Sequence, residues 1–251
     1  MEVRRLSLLV FAFLSLIPLD LFAQGLPSVT VSMNGATQPE QLSTTLQLLL
    51  MLTILSLAPA ILITMTSFTR FVIVFSLLRQ ALGVQNVPPN QVLVGLALFM
   101  SFAVMAPTIK EINEKALQPY LKNEILQKDA IEAASKPIRA FMLSHTREKD
   151  LGLFLSLSQK EKPKSVDEVS LASIVPSFII SELKTAFQIG FMIYIPFLVI
   201  DIVVASILLA MGMLVLPPVI ISLPFKLMLF VLVDGWNLIV GSLVRSFQVL
   251  S

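Results

Sequence analysis

Polar and apolar positions divide the chain into long blocks. An apolar run, Leu6 to Leu19, follows Arg4 and Arg5 near the start. It is too short for a comfortable span, and Pro18 with Leu21-Phe22-Ala23 comes after it, so the pattern reads as a secretory signal cleaved after Ala23. Residues 24–45 are polar and rich in Ser, Thr and Gln. A first long apolar segment then covers roughly Leu46 to Met65, interrupted by Pro59. A loop with Arg70 and Arg79 and no acid follows, holding the apolar piece Phe71 to Leu78 and the turn "GVQNVPPN". A second apolar segment runs from Val92 to Met105 and stops at Pro107. The third, "GFMIYIPFLVIDIVVASILLAMGM", extends from about Ile189 to Met213. After the turn "LVLPPVIISLPFK", a fourth runs from about Leu227 to Val244.

Between the second and third segments the pattern changes. Residues 108–170 hold 11 of the 18 Lys and Arg and 10 of the 16 Asp and Glu. Ile109, Ile112 and Ala116, and later Ile138, Phe141 and Met142, fall at spacings of amphipathic helices. The expected architecture is an all-α membrane protein. About four long apolar helical segments form hairpins, and an amphipathic helical domain lies outside the cytoplasm. The expected boundaries are 1–23 signal, 24–45 N-terminal segment, 46–107 first hairpin, 108–185 polar domain and 186–251 second hairpin.

Composition agrees with this. Hydrophobic residues make up 56% and charged residues 14%, with a mean hydropathy of +0.87. Soluble domains have about 25% charged residues. A net charge of +2 gives no footprint for nucleic acid. With no cysteine, disulfides and thiol chemistry are excluded. The single histidine, His145, cannot build a metal site alone and reads as a surface residue beside Arg147. No phosphate loop, HExxH or GxSxG motif is present, so neither enzyme nor cofactor is expected. The positive-inside rule puts Arg70, Arg79 and Lys226 in the cytoplasm and the polar domain outside it.

Asp201 lies in the middle of the third segment. A charge there costs about 2.5–3.5 kcal/mol on insertion scales, so it faces protein or water. In a hairpin folded near Leu216-Pro217, Asp234 comes close to the level of Asp201, and Lys226 falls over a turn away. Two readings stay open. In one, Asp201 and Asp234 carry ions through a small-molecule transporter. In the other, these acids and Lys226 pair with neighbouring helices or subunits. The end of the third segment raises a separate point. Met211 and Met213 flank Gly212 just before a double proline, an exposed tip where soft side chains could ring an axis.

Several stretches resemble the FliP family of flagellar type III export-gate proteins, which has relatives in injectisomes. They are "SELKTAFQIGFMIYIPFLVIDIVVASILLAMGM" (181–213), "PFKLMLFVLVDGWNLIVGSL" (224–243), "MTSFTRFVIVFSLLRQALG", "PPNQVLVGLALF" and "FMLSHTREKDLGLF" (141–154). The resemblance implies an inner-membrane subunit of the flagellar basal body. Five copies would assemble with FliQ, FliR and other membrane proteins of the export apparatus, in contact with lipid. Unfolded rod, hook and filament subunits would pass through the centre. It implies a pore gasket formed by Met213, Leu214 and Val215 after Met211. Many relatives carry three methionines where this chain has Met-Leu-Val. It also implies polar contacts at Glu182 and Lys226, expected to pair between neighbouring copies. Ring contacts are implied at Phe141 and Phe154, and Asp201 and Asp234 are expected to make intersubunit or interhelix polar contacts.

Overall fold

In the computed structural model, residues 39–157, 168–213 and 215–248 are described, except for the side chains of 39–48, 50 and 54. By contacts the chain falls into two units, 1–56 and 57–251. The first helix, α1 (Pro39–Met65), begins in the first unit and ends in the second. In the first unit its described apolar side chains, including Met51, Leu52 and Leu55, are exposed. The elements of the second unit are α2 (Phe68–Leu82), α3 (Asn90–Ile112), a π-helical turn (Asn113–Leu117) and α4 (Gln118–Leu121). They continue with α5 (Gln127–Ser144), α6 (Glu148–Leu157), α7 (Leu171–Ala210), α8 (Pro218–Leu232) and α9 (Gly235–Gln248). The protein is all-α, and no strand occurs among the described residues. Among the described residues, two helical stretches, Asn90–Leu121 and Leu171–Ala210, are long and apolar enough to cross a membrane. The number rises to four if each bent helix pair makes one span.

The centre of the second unit is α2, which the sequence pattern placed in a basic loop. Phe71, Val74, Phe75, Leu78 and Ala81 recur at helical spacing and are all fully buried. The helix packs against α7, α3 and α8. Against α7 the approach is close: a Cβ added to Gly190 would lie 2.3 Å from Leu77 Cδ1. Glycine is the residue that lets these two backbones come together there.

Among the described residues, three clusters form the core. The first joins Phe68, Phe71, Phe75, Leu93, Ala97, Ala186, Leu243 and Phe247, drawn from α2, α3, α7 and α9. The second joins Leu78, Ala81, Leu82, Phe197 and Phe230. The third, under the polar region, joins Met142, Val169, Ile174 and Phe178. Phe141 packs against both the first and the third.

The helices differ in their limits from the apolar segments of the sequence. The second apolar segment continues past Pro107 to Ile112 and on through the π-helical turn. The third begins 18 residues earlier than expected, at Leu171, so one helix of 40 residues crosses the expected boundary at 185. Ser170 caps its start by accepting from the Ala172 N–H at 3.2 Å. Glu182 and Lys184 depress the hydropathy of its first half, which is why that half read as polar. The helix also runs through Pro176 and Pro196, and α1 runs through Pro59. A proline removes one helical N–H, and tertiary packing can carry that loss. The fourth segment, by contrast, is broken: α8 and α9 meet at 63° around Asp234, whose φ is +51°.

Candidate functional site

Two buried cations organise the apolar helices. Arg70 begins α2 and is 1% exposed. Its guanidinium grips Glu182 of α7 with two bonds, Nε to Oε2 at 2.7 Å and Nη2 to Oε1 at 2.5 Å. Nη1 donates to Ser246 Oγ of α9 at 2.8 Å, and the guanidinium carbon sits 3.7 Å from the centre of the Phe247 ring. Glu182 is completely buried. A planar fork that fills both carboxylate oxygens is the arrangement in which a buried pair is best compensated for lost hydration.

Lys226 of α8 is 2% exposed. Its Nζ donates to Asp201 Oδ2 of α7 at 2.6 Å and to the Ala81 carbonyl of α2 at 3.3 Å. Ser222, one turn before Lys226, donates to the other carboxylate oxygen of Asp201. Three helices are thereby joined around a carboxylate that keeps 19% of its side chain in contact with solvent.

These contacts change several expectations. Glu182 and Lys226 each have a partner inside the chain, so neither charge requires the other from a neighbouring copy. Lys226 lies level with Asp201 because α7 ends at Ala210 and α8 begins at Pro218, which centres the turn near position 214 and not at Leu216-Pro217. Arg70 and Lys226, placed on the cytoplasmic side by the positive-inside rule, are buried and paired inside the chain. Asp234 is exposed, at the knee between α8 and α9, and accepts from Asn237 Nδ2 at 3.1 Å. The structure does not bring Asp201 and Asp234 together: one is bound to Lys226 and the other to Asn237.

The tip after α7 is apolar and open. Met211 is 62% exposed, Met213 42% and Val215 94%, with Gly212 between the methionines at φ +73°. Leu214, Ala23 and the signal as a whole lie outside the described residues. Phe154 is half-buried on α6. Phe141 is half-buried on α5, and its ring faces Phe247 at 6.3 Å and Phe178 at 6.0 Å.

His145 corrects the surface reading: it is 8% exposed, lodged between Phe141 and Phe247. Its neighbour Arg147 belongs to a different contact. The Arg147 N–H donates to Ser181 Oγ at 3.0 Å, and Ser181 donates to Asp150 at 2.7 Å. This pins the start of α6 to α7. Among the described residues, no group of three His, Asp or Glu is placed to hold a metal ion.

The model of the FliP family matches residues 51–243. The chain belongs to the FliP family. It is 58% identical over 217 residues to the flagellar biosynthetic protein FliP of Bacillus subtilis, covering 86% of this chain and 98% of that one. It is 54% identical to that of Aquifex aeolicus over 81% of this chain and 86% of that one. With the protein of Caulobacter vibrioides the identity is 49%, over 97% of this chain and 90% of the relative. As a FliP-family member with apolar helices, the chain is a membrane component of the flagellar export apparatus. Both clusters of buried polar residues fall within the region matched to FliP, apart from Ser246 and Phe247 just beyond it.

Proposed function

We propose that the chain is the pore-forming subunit of the flagellar export gate in the inner membrane. Copies of it, five by resemblance, surround an axis together with FliQ and FliR at the basal body. Unfolded rod, hook and filament subunits thread through that axis. The apolar tip Met211, Met213, Leu214 and Val215 closes the passage between substrates. Glu182, Lys226 and Asp201 hold the helices that carry the tip. Phe141 and Phe154 sit on the periplasmic polar region, where copies meet.

The observation that carries this reading is the exposed tip. Met213 and Val215 follow a glycine at positive φ, beyond the end of a 40-residue helix of about 60 Å. A hydrocarbon layer is about 30 Å thick, so lipid alone does not account for that helix. Soft, large apolar side chains on such a tip suit a seal that conforms to a passing chain.

The reading as an ion-coupled transporter needs a carboxylate free to take up an ion. Asp201 has Lys226 and Ser222 as partners, and Asp234 lies at the knee with Asn237. This favours the gate.

Native mass spectrometry of the tagged protein, expressed with and without its membrane partners, tests assembly. Five copies are expected, and a partnerless monomer or dimer would refute the proposal. Conductance of the intact complex tests the seal: Met213→Gly is expected to leak ions where the wild type does not. Orientation is tested by labelling a cysteine at position 136 from the periplasm, and cleavage of the leader by the mass of the purified protein.

A further inference from the structure

The last turn of a helix leaves carbonyls without intrahelical partners. At the end of α9 two side chains from distant parts of the chain reach them. Arg70 Nη1 lies 3.4 Å from the Ser246 carbonyl besides its bond to the Ser246 hydroxyl, and His145 Nε2 lies 3.3 Å from the Phe247 carbonyl. Both ring nitrogens of His145 face a carbonyl: Nδ1 lies 2.8 Å from that of Phe141 and Nε2 3.3 Å from that of Phe247, with Ser144 Oγ 2.9 Å from Nδ1. A carbonyl only accepts, so the ring ties α5 to α9 by donating to the carbonyl that its N–H faces.

The Phe247 side chain is held as tightly. It is 4% exposed, with Phe71 of α2 at 5.6 Å, His145 at 5.1 Å and Phe141 of α5 at 6.3 Å. Arg70 covers its face at 3.7 Å. Phe141 in turn meets Phe178 of the third cluster edge-on, which makes it the bridge between the core of the apolar helices and the core of the polar region. Beside this bridge, α3, α5 and α9 enclose an open cavity of about 500 Å³, bordered by Pro107, Phe141, His145 and Phe247. On that side α5 is not packed against a continuous wall. α5 also packs on the π-helical turn, α3 and α7, and Phe247 is its contact to the last turn of α9.

We infer that Phe247 and His145 are positioning residues: through the last turn of α9 they fix the angle at which α5, with Phe141, leaves the apolar helices. This holds for a single chain and does not depend on the gate reading. Its test uses the absence of cysteine. Spin labels on cysteines replacing exposed Lys136 of α5 and exposed Ser242 of α9 report the distance between the two helices in the full-length protein in detergent. The parent is expected to give one narrow distribution. Phe247→Ala is expected to add a longer-distance population, and Phe197→Ala, an equal truncation on α7 in the second cluster, is not. His145→Leu is expected to broaden the distribution, while His145→Gln, which keeps a donor, restores it. An unchanged distribution in Phe247→Ala, or equal broadening in Phe197→Ala, overturns the inference. Should Phe247→Ala fail to fold, the histidine pair decides: identical distributions for Leu and Gln overturn it, and different ones support it.

Discussion

Arg70 and Glu182 lie 112 residues apart and meet in a two-bonded ion pair that water does not reach. Glu182 has Arg70 as its only ion-pair partner among the described residues, whereas Arg70 also has Ser246 and the Phe247 ring. The losses of the two partners therefore differ. Arg70→Ala strands a completely buried carboxylate and releases α9 as well. Breaking a buried pair by removing one partner costs about 3–5 kcal/mol. Unfolding in detergent is expected to show Arg70→Ala as the more damaging single change. An Arg70→Met, Glu182→Leu double variant is expected to be more stable than either truncation, because no charge is left buried. If the double variant is the worst of the three, the pair is more than a compensated charge.

The second buried cation behaves differently because its acid is partly wet. Lys226→Met puts an apolar chain of similar length in an apolar site and leaves Asp201 with Ser222 and its 19% exposure. Asp201→Ala leaves an ammonium 2% exposed with one carbonyl for company. The expected order of stability is wild type, then Lys226→Met, then Asp201→Ala, with the last losing several kcal/mol. Thermal unfolding of the three proteins in one detergent decides it, and the reverse order would contradict this account of Asp201.

How much of this was legible in the sequence depends on what hydropathy can register. The apolar segments, the polar region and the family resemblance were readable, because each extends over many residues. The ion pairs were not. Arg70 read as a loop charge, although "TRFVIVF" is a lone cation in an apolar run, which is itself a signal of burial. Glu182 and Lys184 hid the first half of α7, because an average over a window counts a paired carboxylate as if it were hydrated. Lys226 and Asp201 appeared a turn out of register because the turn was centred at Leu216-Pro217, whereas α7 ends at Ala210 and α8 begins at Pro218, which sets the two residues level. His145 read as exposed because nothing local in "SHTRE" announces that Phe247, 102 positions later, covers it.

Close packing of α2 on α7 gives a third prediction. An added Cβ at Gly190 meets Leu77 Cδ1 at 2.3 Å and Leu77 Cβ at 3.1 Å. Gly190→Ala is expected to destabilise by about 1–3 kcal/mol, the usual range for overpacking. Leu77→Ala in the same chain is expected to recover part of the loss, since the Cδ1 clash disappears. Motility of cells carrying each variant, read beside the amount of assembled protein, checks both effects. A double variant no better than Gly190→Ala would place the strain elsewhere than at Leu77.

Asp234 separates backbone geometry from charge. It sits at φ +51° where α8 turns into α9, a conformation that aspartate and asparagine tolerate and β-branched residues do not. Its carboxylate accepts from Asn237 and faces water. Asp234→Asn keeps the size, the backbone preference and an oxygen acceptor, and removes only the charge. Asp234→Val has close to the same size and cannot hold the turn without strain. Asparagine is therefore expected to leave assembly and export near the wild-type level, and valine to lower both. A proton- or ion-carrying aspartate would give the opposite ranking for transport: asparagine would abolish it in complexes that still assemble. Measuring secretion of a flagellar substrate alongside complex yield for the two variants distinguishes a turn residue from an ion carrier, and loss of secretion in fully assembled Asp234→Asn would make Asp234 an ion carrier and not a turn residue.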